Sequence, residues 1–122
     1  MSKTATVKNQ PPKKTKNQEL LRTVPYESGF HFYMGLGKYA GVTATSLDEF
    51  AGKLQTIPVE SITFHFQRDD FQKWLGKTIG DDELAKRIDQ LKQMPLWSSD
   101  ENLRKELVKT VQKRLAELRL LL

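Results

Sequence analysis

The segment Ser61–Leu75 constrains this chain more than any other stretch. It carries Ile62, Phe64, Phe66, Phe71, Trp74 and Leu75, which include half of the six Phe residues and one of the two Trp. Full burial of each such side chain stabilises a fold by about 1.5–3 kcal/mol. A chain of 122 residues supports one domain around one core. That core has to be built on this segment.

Bulk properties narrow the setting. Hydrophobic residues make up 38% of the chain and the mean hydropathy is −0.57, so polar groups are in surplus. No run approaches the roughly 18 apolar residues of a membrane span. The start of the chain is basic and polar, without the apolar stretch of a secretory leader. Cysteine is absent, which excludes disulfides, thiolate metal ligands and a cysteine nucleophile. A cytoplasmic protein fits these properties.

The formal net charge of +5 is unevenly placed. Residues 1–25 contain Lys3, Lys8, Lys13, Lys14, Lys16 and Arg22 against Glu19 alone. Residues 26–98 are slightly acidic and residues 99–122 slightly basic. Residues 1–18 have no aromatic residue, adjacent prolines at Pro11 and Pro12, and five lysines with no acid. Such a segment cannot bury enough apolar surface to offset the entropy of ordering it, so a disordered basic arm is expected. It either contacts an anionic partner, such as RNA, a ribonucleoprotein, DNA or anionic lipid, or merely keeps the chain soluble.

From Tyr26 onward the pattern changes. Phe30, Phe32 and Met34 alternate with His31 and Tyr33, as in a half-buried strand. Gly35, Gly37 and Gly41 interrupt it, and Tyr39–Ala44 returns as a second strand, predicting a hairpin over about 29–44. The GxGxxxG string of Gly35–Gly41 is a poor phosphate loop, lacking GxxxxGK[ST] and repeated βαβ units. Ser46 and Glu49 form a capping box ahead of Leu47, Phe50, Ala51 and Leu54, predicting a helix over about 47–55. Pro58 and Glu60 suit the start of another helix, although Ile62, Phe64 and Phe66 also alternate like a strand. Helix is the preferred reading there.

Asp69 or Asp70 is placed to cap the next segment, where Phe71, Trp74, Leu75 and Ile79 share a helical face. Gly76 weakens that helix, and Gly80 suits a left-handed cap at its end. Asp81, Asp82 and Glu83 open a further helix with Leu84, Ile88 and Leu91 inward. After a break at Met94–Trp97, Ser98 and Glu101 form a second capping box. The final helix carries Val108, Val111, Leu115, Leu118 and Leu122 at 3-4-3-4 spacing, widened by Leu103, Leu107, Leu120 and Leu121. Lys105, Lys109 and Lys113 line another face. The leucine stripe either packs on the domain or docks on a partner or a second copy.

Chemistry is sparse. His31 and His65 are the only histidines, and His65, flanked by Phe64 and Phe66, reads as a packing residue with Asp69 or Asp70 in reach. No HExxH, GxSxG or clustered metal-ligand spacing occurs. The pairs Asp69–Asp70 and Asp81–Asp82 sit where helix caps are needed. No enzyme activity, metal or small-molecule cofactor is expected. A helix-turn-helix over 70–93 lacks a polar recognition helix at turn distance, so base-specific readout of duplex DNA is not expected.

Several of these motifs together resemble a family. They are Phe30–Tyr33, the glycine turn into Ala44-Thr-Ser-Leu-Asp-Glu-Phe50, Ser61-Ile-Thr-Phe-His65, Asp70-Phe71 with Trp74, and Gly80-Asp-Asp-Glu-Leu-Ala85. Over about 28–92 the chain resembles a small archaeal and bacterial family catalogued as a domain of unknown function. Where the resemblance implies Gly or Asn before the Asp-Phe pair, this chain has Asp69. It is compatible with an interaction module and supplies no catalytic residues.

The combined reading is a mainly α domain of the α+β class: a short N-terminal hairpin, then four or five helices, the last long and amphipathic. Residues 1–25 form the arm and lead-in, 26–98 the globular part, and 99–122 the terminal helix. The expected function is non-catalytic binding. In one version the arm residues Lys3, Lys8, Lys13, Lys14, Lys16 and Arg22 contact RNA, a ribonucleoprotein or DNA backbone. In the other, Val108, Val111, Leu115, Leu118 and Leu122 form a protein–protein or homodimer interface.

Overall fold

A computed structural model describes residues 15–94 and 99–120. Its one sheet among these residues is the hairpin of β1 (Phe30–Tyr33) and β2 (Tyr39–Ala44). Before it lies a short helix, α1 (Lys16–Leu20), and after it α2 (Leu47–Thr56), α3 (Val59–Gln67) and α4 (Asp70–Lys73). The last of these continues into a π-helical turn, Trp74–Ile79, followed by α5 (Asp82–Leu91) and the long α6 (Asp100–Leu120). The fold is mostly helical with one N-terminal hairpin, as the hydrophobic patterning predicts.

In the hairpin, Phe30 faces Ala44, His31 faces Thr43 and Phe32 faces Val42. The next pair is Tyr33 with Tyr39, so Ala40 and Gly41 form an irregularity in β2. Gly37 and Gly41, at φ 71° and 79°, take the left-handed turns that side chains resist. Phe30 and Phe32 point inward, and Phe30 is the aromatic hub. Its ring centroid lies 4.8 Å from Phe32, 5.5 Å from Phe50, 5.2 Å from Phe71 and 5.7 Å from Trp74. Trp74 satisfies its indole N–H on the Ser28 carbonyl at 2.8 Å. The Ser61–Leu75 segment and the hairpin thus meet at this hub, and α2, α5 and α6 supply most of the remaining core.

Residues 59–67 are helical, which resolves the ambiguity at Ile62–Phe66. Ser61, Ile62, His65 and Phe66 face inward at helical spacing, whereas Phe64 is half-buried under the Arg68 guanidinium, 5.0 Å from its ring. Asp69 occupies the cap position of α4 but makes no side-chain cap, correcting that expectation. Its backbone is left-handed at φ 62°, and its carboxylate pairs with Lys92 and accepts from Gln72. A left-handed residue there is the physical reason the family resemblance implies Gly or Asn. Gly80 closes the π turn at φ 91° as the sequence predicts.

Two other caps shift by one residue. Ser46 accepts from the Glu49 amide at 3.1 Å, but Glu49 reaches back to the Thr45 amide at 2.8 Å rather than to Ser46. At the start of α6 the Asn102 amide donates to Ser99, and the predicted cap Ser98 lies outside the described residues.

The folded unit also begins earlier than the patterning suggests. Thr15 and Gln18 form a reciprocal capping box, Leu20 and Val24 enter the core, and Asn17 donates to the Leu118 carbonyl at 3.1 Å. Residues 15–25, assigned above to the arm and lead-in, are therefore part of the domain. Buried Leu20 and Val24 anchor a segment whose composition alone reads as disordered.

Candidate nucleic-acid interface

Of the residues expected to meet nucleic acid, Lys3, Lys8, Lys13 and Lys14 lie outside the described residues. Lys16 is exposed at the first position of α1. Arg22 is turned inward instead. Its guanidinium donates to the carbonyls of Glu19 at 2.7 Å, Ile79 at 2.9 Å and Thr78 at 2.7 Å, tying α1 to the end of the π turn. Those bonds remove Arg22 from the arm's phosphate-contacting set.

Arg22 follows a general pattern. The other five arginines also hold internal acceptors: Arg68 with Asp70, Arg87 with Glu83 and Glu117, Arg104 with Glu101, Arg114 with Asp81, and Arg119 with Asp48. The planar guanidinium suits such fixed forks, and the flexible ammonium does not. Among the described lysines, Lys92 alone is ion-paired. Lysine therefore carries most of the open positive charge.

Lys105, Lys109 and Lys113 are exposed on α6, with a rise of about 6 Å between neighbours. With Gln55, Arg104 and Val108 they line a groove of about 730 Å³ beside α2. The acid in its lining, Glu101, is held by Arg104 at 2.9 Å, and Arg104 also donates to the Leu54 carbonyl. Chemically this is an open cationic trough. It has flexible ammonium donors and no preformed pocket for a single small anion.

The leucine stripe of the same helix faces the other way. Leu103, Leu107, Val111, Leu115 and Leu118 are buried against α2, α3 and α5. Val111, Leu115 and Leu118 are thus core residues and offer no surface to a partner, Val108 is half-buried, and Leu122 lies outside the described residues. The observed spacing of four, four, four and three is that of a helix packed on its own domain. Arg114 reinforces that packing, donating to both carboxylate oxygens of buried Asp81 at 3.0 and 3.1 Å. Asp81 simultaneously caps α5 through the Leu84 amide at 3.0 Å.

A second concavity lies between the hairpin and α3, with a volume of about 480 Å³. Phe30, His31, Tyr33, Phe64, Arg68 and Asp70 line it, and His65 forms its floor. His65 is only 4% exposed. Its Nε2 accepts from the Tyr33 amide at 2.8 Å, so Nδ1 carries the proton and donates to Asp70 at 2.8 Å. Burial lowers the His65 pKa, and the Asp70 hydrogen bond and charge oppose that without reversing it. Both nitrogens are engaged and the ring is neutral, an arrangement that fastens β1 to α3. It leaves no free nitrogen to act as a base.

The hairpin's outer face holds an aromatic cluster that no sequence motif marks. Tyr26, His31, Tyr33 and Tyr39 bound a shallow hollow of about 240 Å³. The Tyr39 hydroxyl lies 2.6 Å from Thr43 and 3.1 Å from the Tyr26 hydroxyl, and His31 Nδ1 lies 2.8 Å from Thr43. Strand alternation was the available signal, because outward positions of a small hairpin are ordinarily polar and these are aromatic. No helix among the described residues is long and apolar enough to cross a membrane. No curated protein and no solved structure matches the chain. A family model does match, over residues 12–112, and the chain belongs to that family of unknown function, DUF5752.

Proposed function

We propose that this is a non-catalytic cytoplasmic binding protein that attaches through lysines to the backbone of RNA, a ribonucleoprotein or DNA, without reading base identity. One observation carries the reading. Every arginine is held by an internal acceptor, whereas Lys105, Lys109 and Lys113 have no ion partner among the described residues along one trough, and four further lysines precede Thr15. Unpaired ammonium groups release counterions when they neutralise phosphates, so the attraction is long-ranged and salt-dependent. The absence of free His65 nitrogens supports binding over catalysis.

The test is a salt series on a labelled RNA and a labelled DNA duplex. Three proteins are compared: the full chain, a chain lacking residues 1–14, and Lys105→Glu/Lys109→Glu/Lys113→Glu. The truncation stops before Thr15 because that residue caps α1. Each phosphate contact contributes about −0.9 on duplex, or about −0.7 on single strands, to the slope of log affinity against log salt. Removing four arm lysines is expected to flatten the duplex slope by up to about 3.6, and reversing the trough to flatten it by about 3. Undetectable or salt-independent binding by the full chain refutes the reading.

A further inference from the structure

The lysine trough lies on α6, and a separate, aromatic surface lies on the outer face of the hairpin. Tyr26 and Tyr39 are 59% and 44% exposed, unusual for large aromatic side chains in so small a domain. They are also fixed in place. Tyr26 and His31 lie 5.2 Å apart between ring centroids, and Tyr33 and Tyr39 lie 5.6 Å apart. The hydroxyls of Tyr26 and Tyr39 are held by each other and by Thr43, so ring faces, not hydroxyl donors, are what the cluster presents.

The adjoining concavity under the hairpin shares His31 and Tyr33 with this cluster, so the two form one continuous surface. At its far side stands Arg68, whose side chain is 50% exposed. Its Nε donates to Asp70 at 3.1 Å and its plane lies over Phe64, while its two Nη groups meet no acceptor among the described residues. The Asp70 oxygen is shared with the His65 N–H, so the carboxylate orients the guanidinium and is itself occupied. Lys38 at the hairpin tip adds a second exposed cation.

We propose that this surface receives the unstacked bases of a single-stranded nucleic acid on Tyr26, Tyr33 and Tyr39, with the Nη groups of Arg68 holding a neighbouring phosphate. The inference rests on the polyanion reading above and adds a preference for single strands. Flat exposed rings suit flat partners, and every base offers a π-face. A duplex keeps its bases stacked on one another and cannot present them. A proline-rich peptide would gain from free donors to its carbonyls, and the hydroxyls of the two most exposed rings, Tyr26 and Tyr39, are already engaged.

The experiment compares a fluorescein-labelled oligouridylate with a duplex of equal length. It uses the full chain, Tyr26→Leu/Tyr39→Leu, and Arg68→Gln, each checked for fold by circular dichroism and thermal midpoint. The wild type is expected to bind the single strand more tightly. Loss of each stacked ring is expected to weaken single-strand binding about tenfold, with duplex affinity unchanged. Equal binding of both nucleic acids, or a single-strand preference that survives both variants, overturns this proposal and leaves the lysine reading intact. Binding to neither overturns both. If the tyrosine variant does not fold, NMR of the wild type decides. Ring-proton shifts of Tyr26, Tyr33 and Tyr39 on adding the oligouridylate support the proposal, and their absence overturns it.

Discussion

The two sides of α6 treat positive charge in opposite ways. On the inner side Arg114 is mostly buried and clamps Asp81, which is 1% exposed, and the chain of pairs continues through Glu117 to Arg87 and Glu83. Hydrogen bonds from Arg87 hold the Glu117 carboxyl below its usual pKa. On the outer side Lys105, Lys109 and Lys113 have no ion partner among the described residues. Desolvation explains the difference. A buried charge is tolerated only with a geometrically fixed partner, whereas an exposed ammonium remains hydrated and gains little from pairing. On α6 charge is therefore structural at the buried Arg114 and available at the exposed lysines.

The largest effect that would break this contrast is expected at Arg114. Arg114→Met leaves Asp81 buried and uncompensated, and urea denaturation is expected to show a loss of about 3–5 kcal/mol. Adding Asp81→Ser, which removes the orphaned charge but retains a cap for Leu84, is expected to restore much of it. A loss below about 1 kcal/mol for Arg114→Met would place the junction among surface pairs.

His65 offers a different sharpening, because it meets the same desolvation by remaining neutral. Its folded-state pKa is lowered from the ordinary 6.5, so below that pH the unfolded chain takes up the proton first. Its contribution to stability is complete above about pH 6.5 and declines as pH falls toward the folded pKa. Denaturation midpoints at pH 7.5 and 5.5, with an NMR titration of the His65 ring, check both the direction and the Nδ1–H tautomer. A ring that titrates at or above 6.5 contradicts it.

The smallest effect concerns Lys92, the ion-paired exception among the described lysines. Asp69→Gly removes its partner but relieves a left-handed backbone worth about 1 kcal/mol, and an exposed pair returns less than that. A net gain of about 0.5 kcal/mol is expected by thermal denaturation. A clear loss would mean that the Lys92 pair outweighs the strain.

Much of the fold was legible because local rules and burial agree. The alternation at Phe30–Tyr33, the helical spacing of Phe71, Trp74, Leu75 and Ile79, and the left-handed Gly80 all appear where their patterns place them. The site was less legible. Arg22 and Arg114 look as free as any lysine in one dimension, and only neighbours 57 and 33 residues away turn them inward. The tyrosine cluster is not legible in the spacing because Tyr26 and Tyr39 meet through a turn and a strand register.

By itself the sequence determined the periodicities, the caps at Gly80 and Asp81 and the surplus of lysine, since these depend on residues a few positions apart. Tertiary structure alone decided which cations remain free, that His65 is neutral, that the α6 leucines face their own core, and that Thr15–Pro25 joins the domain. Each of those outcomes depends on burial and on partners distant in the chain. Burial sets the cost of a charge, and only a folded chain has an interior.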